Sequence, residues 1–225
     1  MSLFLYRETP LGHRRSGTIR AMFITFEGPE GAGKSTALAS IADRLRSLGH
    51  TVLTTREPGA GEFGKSIRQI LLHGDDLDPK AELFLFLADR ANHVATLIRP
   101  ALARGEIVLC DRYADSTLVY QAYARGLDKA FARAGNSFAT DGLVPDLTVL
   151  FDLDPRIGLA RLQSKDRLDG QSIEFHGLVR DGFLHEATAD PKRWKIIDSS
   201  KSQDIVLELC WEIIDPIVRS WIHTN

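Results

Sequence analysis

The segment with the clearest chemistry is a glycine-rich run between a predicted strand and a predicted helix. It reads GPEGAGKS from Gly28 to Ser35 and matches the pattern GxxxxGK[ST]. The glycines let backbone N–H groups turn toward phosphate oxygens, and the helix N-terminus adds partial positive charge. Lys34 can reach the β and γ phosphates, and Ser35 can bind Mg²⁺. The residues predicted to bind a nucleoside triphosphate such as ATP are Gly28, Pro29, Glu30, Gly31, Ala32, Gly33, Lys34, Ser35 and Thr36.

Such a phosphate-binding loop occurs in GTPases, in motor ATPases and in kinases. The sequence contains no Asn-Lys-x-Asp tetrapeptide to read guanine, and 225 residues are few for a mechanical ATPase. By elimination, a kinase of a small molecule is the favoured class.

A second set of charged residues stands at the ends of the next two predicted strands. Arg56 and Pro58 belong to one end, and Asp111 and Arg112 to the other. A guanidinium group can bind two phosphate oxygens at once and stays protonated. A single arginine can equally be a solvated surface charge. Asp111 can hold Mg²⁺ or cap the following helix. None of the seven histidines has ligand or triad spacing, so none is expected to catalyse.

The hydrophobic pattern predicts a scaffold that gathers these strand ends. Apolar runs alternate with helix-length segments, which indicates a mostly parallel sheet covered on both faces. Ligands of such sheets bind at the carboxyl ends of the strands. The predicted strands are Met22–Glu27, Thr51–Arg56, Ile107–Arg112, Leu147–Leu153 and Trp194–Asp198.

Three further segments complete the predicted organisation. A helix should run from Ser35 to Leu48, and residues 79–104 show helical spacing that Pro100 should kink or split. Residues 161–171 are charged and break the apolar pattern, which predicts a mobile loop between two helices. Residues 1–21 are predicted to be a flexible extension ahead of a second start at Met22, with a weak organelle-targeting signal as the alternative.

Composition limits the class of protein. The hydrophobic content of 44% is enough for one domain over 22–225. Lys and Arg number 28 against 30 Asp and Glu, so no basic surplus favours nucleic acid as a partner. No apolar run approaches the ~18 residues of a membrane span. Cys110 and Cys210 lack disulfide or zinc spacing, and we interpret them as buried thiols of a cytoplasmic protein.

Motifs in order along the chain resemble those of bacterial thymidylate kinases. They are FEGPEGAGKST, TREPG, FLFLADR, DRYADSTLVYQ, DGLVPDLTVLFDL, KDRLD and IEFHGLVRDGFL, and they run from about Met22 to about Ser200. The resemblance implies a P-loop NTP hydrolase-type α/β three-layer sandwich, with a five-stranded parallel sheet flanked by helices and a short mobile lid. It also implies phosphorylation of dTMP to dTDP with ATP and Mg²⁺ in dTTP biosynthesis, and a homodimer paired through helices.

The resemblance assigns the acceptor site residue by residue. Arg112 would clamp the dTMP phosphate, while Arg56 and Arg90 would add charge. Phe86 would stack on thymine, although an aromatic at helical spacing is more often core. Glu30 would approach the sugar hydroxyl or the magnesium shell, and Asp111 would join Ser35 as a metal ligand. The substrate-binding residues implied in this way are Glu30, Arg56, Pro58, as a cis-proline, Phe86, Arg90, Arg112, Ser116, Thr117, Tyr120 and Gln121.

The source of the catalytic cation is less direct. Pro29 and Glu30 stand where one branch of the family has an arginine, so the lid loop is expected to supply the charge from Arg161, Lys165 or Arg167. The catalytic residues implied are Lys34, Arg112, Arg161 and Arg167. The sequence departs from the family after TREPG, where residues 60–62 read AGE, and its lid is sparse in arginine.

Two other functions stay open at this point. A kinase of another nucleotide would keep Lys34 and Asp111 but bind a different base. An ATP-binding regulatory module would bind ATP without turnover. Whether the acceptor is dTMP or another nucleotide, its phosphate has a second pKa of ~6 and is largely deprotonated at neutral pH. No general base is therefore required.

Overall fold

The computed structural model of the protein describes residues 21–223. Its strands are β1 Met22–Glu27, β2 Val52–Arg56, β3 Ile107–Asp111, β4 Leu147–Asp152 and β5 Trp194–Asp198. They form a five-stranded sheet in the order β2-β3-β1-β4-β5, and every neighbouring pair is parallel. The helix-connected parallel sheet predicted from the alternation of apolar runs is confirmed.

Helices cover both faces of this sheet. They are α1 Lys34–Ser47, α2 Gly61–His73, α3 Pro79–His93, α4 Arg99–Ala103, α5 Ala114–Thr117, α6 Lys129–Thr140, α7 Pro155–Arg161, α8 Ile173–Ala189 and α9 Gln203–His223, with π-helical turns at Val94–Ile98 and Leu118–Ala124. No helix among residues 21–223 is both long enough and apolar enough to cross a bilayer.

Alternation along the strands divides the core between the two faces. Ile24 and Phe26 of β1 pack with buried residues of α1 and α9. Phe23 points the opposite way and packs with Val94 and Ile98. Successive side chains of a strand face opposite sides, so the wholly buried strand β1 carries apolar side chains on both, joined on the Phe23 side by the buried Thr25 and Glu27. The sheet is therefore the central layer of the three-layer sandwich, with helices packed on both of its faces.

Strand register brings the chemistry-bearing strand ends together. Phe26 near the end of β1 pairs with Asp111 at the end of β3, and Arg56 at the end of β2 pairs with the same aspartate. The glycine-rich loop after β1 and the segment after β3 therefore leave the sheet side by side. A crevice at this edge is the expected ligand site of a parallel sheet.

Element boundaries differ from the predictions for physical reasons. β3 ends at Asp111, one residue early, because Arg112 has a φ of 67° and cannot continue a strand. The predicted long helix divides into α3, a π-helical turn and α4, and Pro100 lies in the first turn of α4, where proline is tolerated. α3 begins at a cap in which Asp78 Oδ1 accepts from Lys80 N at 2.9 Å.

The lid loop lies between α7 and α8, as predicted, although Arg161 is the last residue of α7 rather than a loop residue. The two cysteines, Cys110 and Cys210, are buried free thiols, as interpreted from their spacing. Residues 1–20 of the predicted extension lie outside the described residues. Its flexibility, the single-domain boundary at Met22 and the mobility of the lid stay predictions.

Candidate active site

The phosphate-binding loop is built on glycines that no other residue can replace. Gly28 has a φ of 141°, and a Cβ there would lie 2.5 Å from the carbonyl oxygen of Phe151. Gly31 has a φ of 66°, and its Cβ would lie 2.1 Å from the carbonyl oxygen of Gly158. Side chains are excluded by both conformation and space, and the loop backbone stays open toward the crevice.

Lys34, the first residue of α1, is buried beneath this loop. Its Nζ donates to the carbonyl oxygens of Gly28 at 3.0 Å and Pro29 at 2.7 Å. Burial, with the nearby positive charge of Arg112, lowers the pKa of Lys34 to about 8. An anionic phosphate at the loop would favour the charged ammonium over this state.

Ser35 and Asp111 form a pair of oxygen donors beside the loop. Ser35 Oγ donates to Asp111 Oδ2 at 2.5 Å. Among residues 21–223 no group of three or more His, Cys, Asp or Glu side chains could hold a metal. Oxygen donors suit Mg²⁺, which keeps several waters and binds through one or two carboxylates plus substrate phosphates. The two residues fit a magnesium ion held mainly by a nucleotide.

Glu30 of the loop faces Arg112 across the crevice. Arg112 Nη2 donates to Glu30 Oε2 at 2.6 Å, and Tyr120 Oη donates to Glu30 Oε1 at 2.6 Å. Burial alone would raise the pKa of Glu30, but the charges of Arg112 and Lys34 outweigh it and lower the pKa to about 2. Glu30 is therefore a permanent carboxylate that holds two groups of the opposite wall.

Glu27 at the end of β1 fixes the backbone around Arg112. It accepts from Tyr113 N at 2.8 Å and from Ser116 Oγ at 2.5 Å, while Arg112 Nη1 donates to Ser116 Oγ at 3.1 Å. Burial, together with the charge of Asp115, raises the pKa of Glu27 to about 8. Sequence reasoning missed Glu27; a carboxylate ending a buried strand was the available signal.

A cavity lies next to the Glu30–Arg112 pair, on the side away from the glycines of the loop. Every residue of the predicted substrate-binding set lines it except Arg56, which lines the neighbouring phosphate crevice. The lining residues are Glu30, Glu57, Pro58, Arg68, Leu72, Phe86, Arg90, Arg112, Tyr113, Ser116, Thr117, Tyr120, Gln121, Asp166 and Leu168. The Glu57–Pro58 peptide bond is cis, as the resemblance implied.

Two residues on one face of α3, Phe86 and Arg90, form part of the cavity wall. Phe86 packs with Ile67 and Leu168 and is 9% exposed. Arg90, one turn later, is buried and donates to Glu57 Oε2 at 2.8 Å and to Asn136 Oδ1 at 2.7 Å. Phe86 thus belongs to a small apolar cluster and to the cavity surface at once.

Unpaired polar atoms lie in the cavity wall. Thr117 Oγ1 and Gln121 Oε1 are buried, and neither has a hydrogen-bond partner among the described residues. Buried polar groups are nearly always paired, and an unpaired one costs about 1–3 kcal/mol. A polar occupant of the cavity would satisfy both.

A second groove lies on the opposite side of the loop. It is lined by Gly31, Ala32, Gly33, Thr36, Arg161, Ser199, Lys201, Gln203, Val206 and Leu207. Arg161 Nη1 lies 3.3 Å from the carbonyl oxygens of Gly31 and Ser199. The structure therefore brings Arg161 to the phosphate-binding loop, while the segment after β5 forms the outer wall.

The structure does not bring Arg167 to that loop. Its Nε and Nη2 donate to the carbonyl oxygen of Leu71 at 2.9 Å and 2.7 Å, and Nη2 also pairs with Glu82. Lys165 is exposed. The predicted lid cations are thus separated, with Arg161 beside the loop and Arg167 at the back of the Phe86 cavity.

Sequence reasoning also missed residues that shape the cavity. Arg68 of α2 donates to the carbonyl oxygen of Pro58 at 3.0 Å and lines both the cavity and the phosphate crevice. Glu82 lies one turn before Phe86 on α3 and is fully buried. The i, i+4 spacing of residues 82, 86 and 90 was the signal that could have identified it.

Comparisons with known proteins agree with this geometry. A family profile described as thymidylate kinase matches residues 26–209. A thymidylate kinase of Synechococcus sp. (strain JA-2-3B'a(2-13)) is 49% identical over 195 residues, covering 87% of this chain and 95% of its own length. One of Solidesulfovibrio magneticus is 47% identical, covering 88% and 100%. The crystal structure of thymidylate kinase from Ehrlichia chaffeensis matches with a TM-score of 0.72 at 33% identity, covering 88% and 98%. The chain belongs to the thymidylate kinase family.

Proposed function

We propose that this protein transfers the γ-phosphoryl group of ATP to dTMP, forming dTDP for dTTP biosynthesis. The observation that carries the proposal is the Glu30–Arg112 contact, because it joins two sites. Glu30 belongs to the phosphate-binding loop, and Arg112 lines both the phosphate crevice and the Phe86 cavity. A nucleotide on each side would meet at this contact, which is the geometry that phosphoryl transfer requires.

The donor phosphates would lie on the glycine-rich loop. Lys34 would exchange its carbonyl partners for phosphate oxygens, and Arg161 would approach the same phosphates from α7. Ser35 and Asp111 would hold Mg²⁺, which neutralises charge on the transferring group when bound. Because catalysis of this kind depends on positioning and charge, none of these residues has to move a proton.

The acceptor would lie in the cavity with its phosphate at Arg112. Phe86 would contact the base face, as stacking requires, and Thr117 and Gln121 would pair with its polar edge. Arg90 places a positive charge in the cavity wall, where it is paired with Glu57. We propose that it both shapes the cavity and adds positive charge near the acceptor.

A homodimer and a cytoplasmic location are parts of the same proposal. Phe84 of α3 is 55% exposed and packs edge-on against Phe131 of α6, which is 51% exposed. Phe138, two turns along α6, is 89% exposed. Large aromatic side chains clustered on two helices favour burial against a second copy. Free buried thiols at Cys110 and Cys210 suit a reducing compartment.

A coupled assay of ADP release tests the proposed reaction. The purified protein is supplied with ATP and Mg²⁺ and with dTMP, dUMP, UMP, CMP or thymidine as acceptor. We expect turnover to be fastest with dTMP, and Lys34→Ala to reduce it by about 10²–10⁴. Faster turnover of another acceptor would replace dTMP as the substrate. ATP binding without ADP release would favour a regulatory module.

A further inference from the structure

Glu82 is a buried carboxylate that accepts hydrogen bonds from three side chains, those of Gln121, Arg125 and Arg167. Its Oε1 accepts from Gln121 Nε2 at 2.9 Å and from Arg125 Nε at 2.6 Å. Its Oε2 accepts from Arg125 Nη2 at 3.1 Å and from Arg167 Nη2. Each of these three side chains donates, and the two guanidinium groups more than offset the single negative charge. The contact set matches what a carboxylate can do, since it accepts hydrogen bonds and does not donate.

This contact determines which way the Gln121 side-chain amide points. Only the NH₂ group of Gln121 can donate to Glu82, so the amide carbonyl is the end that stays available. Gln121 lines the Phe86 cavity, is fully buried, and its Oε1 has no hydrogen-bond partner among the described residues. With the opposite orientation, the Gln121 carbonyl oxygen would face the Glu82 carboxylate, and no hydrogen bond would offset the repulsion between the two acceptors.

We propose that Glu82 is a positioning residue that fixes the Gln121 amide with its carbonyl toward the cavity, so that the site selects a base carrying an N–H donor at that edge. Thymine and uracil carry N3–H, whereas cytosine has an unprotonated N3 that only accepts. The inference rests on the proposed function, because it names the source of base selection in the same acceptor site. A site built to pair with an N–H rejects a base that lacks it, since two acceptors would be left facing each other.

The Glu82→Gln variant provides the direct test. Its oxygen should stay on the Oε2 side, where Arg125 Nη2 and Arg167 Nη2 both carry charge, and Arg125 Nε would lose its acceptor at Oε1. Its NH₂ group would then face Gln121, whose amide would turn over and present NH₂ to the cavity. We expect the ratio of kcat/KM for dTMP to kcat/KM for dCMP to fall by at least about tenfold, through both a loss with dTMP and a gain with dCMP.

Arg167→Met is the matched control. Both variants disturb the ion pair between Glu82 and Arg167: Glu82→Gln weakens it, and Arg167→Met removes it. Arg167→Met differs because it leaves an acceptor-only carboxylate beside Gln121. Its dTMP-to-dCMP ratio should stay within about twofold of the parent even if both KM values rise. A merely structural role for Glu82 predicts that both variants shift the two nucleotides together, and an unchanged ratio in Glu82→Gln would overturn the inference.

A measurement on the parent protein keeps the test open should Glu82→Gln fail to fold. The two side-chain amide protons of Gln121 should keep their chemical shifts when dTMP binds, whereas the Gln121 carbonyl carbon should shift. Movement of the amide protons instead would show that NH₂ contacts the base, and the inference would be wrong. If the parent does not phosphorylate dTMP at all, the proposed function fails; if it does and the ratio is unchanged, only the role of Glu82 fails.

Discussion

Arg112 donates to Glu30 and to Ser116 at 2.6 Å and 3.1 Å, so its guanidinium spans the boundary between the phosphate-binding loop and the Phe86 cavity. Its backbone has a φ of 67°, a left-handed conformation that costs about 1–2 kcal/mol in a residue with a Cβ. The hydrogen bonds of Tyr113 N and Ser116 to Glu27 stabilise that turn. The turn directs the guanidinium to this boundary, where the proposed reaction would need a permanent cation between two nucleotides.

Arg112→Ala should weaken acceptor binding more than donor binding. A guanidinium–phosphate pair contributes charge-assisted hydrogen bonds worth about 1.5–3 kcal/mol each. We expect kcat/KM for dTMP to fall by at least about 10², the directly measured dTMP Kd to rise, and the ATP Kd to change little. Glu30→Gln is the control, because it leaves the cation in place while weakening its partner. An unchanged dTMP Kd in Arg112→Ala would contradict the acceptor role.

Phe86 is best tested with a substitution that preserves packing. Phe86→Ala would remove about 3–5 kcal/mol from the cluster formed with Ile67 and Leu168 and could unfold the protein. Phe86→Leu keeps an apolar side chain but loses the aromatic face, and a base stack is worth about 1–3 kcal/mol. The dTMP KM should therefore rise by about 5- to 150-fold with little change in the ATP KM. Phe151→Leu, in the core at β4, should lower Tm without this selective effect.

Sequence pattern was sufficient for the parts of the site that depend on local order. The strand–loop–helix order defined the phosphate-binding loop, and parallel strands necessarily place Arg56 and Asp111 at one edge. Helical spacing put Phe86 and Arg90 on one face of α3.

Pattern failed where a residue's position depends on a distant partner. Arg167 turns away from the loop because Glu82, far earlier in the chain, holds it. No local signal in the charged lid distinguishes it from Arg161. The left-handed turn at Arg112 was equally hidden, since it depends on Glu27 accepting from a backbone N–H across the sheet.

Glu27 should make stability depend on pH in a definite direction. The folded protein holds its proton up to about pH 8, because burial and Asp115 disfavour the charge, whereas the unfolded chain releases it near the ordinary pKa of 4.5. Arg112 and Lys34 also face Glu27 and act in the opposite sense to Asp115. The unfolded state binds fewer protons between these values, so the contribution of Glu27 to stability is present at low pH and is lost as pH rises from 4.5 to 8.

The Glu27→Gln variant isolates this contribution. Denaturant unfolding of both proteins across this pH range should give free energies whose difference changes steadily in favour of the variant as pH rises. Groups that do not interact with Glu27 titrate equally in the two proteins and cancel. Parallel profiles would mean that Glu27 has an ordinary pKa.

The two lid arginines should have different kinetic effects, because they lie on opposite sides of the site. Arg161 contacts the loop carbonyl of Gly31, whereas Arg167 is held at Leu71 and Glu82 behind the Phe86 cavity. Arg161→Ala should lower kcat by at least about tenfold with little change in the dTMP Kd, as expected for an interaction made mainly in the transition state. Arg167→Ala should instead raise the dTMP KM, because Asp166 and Leu168 beside it line the cavity. Pre-steady-state measurement of the phosphoryl-transfer step and direct dTMP titration separate the two effects. If Arg167→Ala lowers the transfer rate as much as Arg161→Ala while the dTMP Kd is unchanged, Arg167 must leave Glu82 during the reaction and act on the phosphates itself.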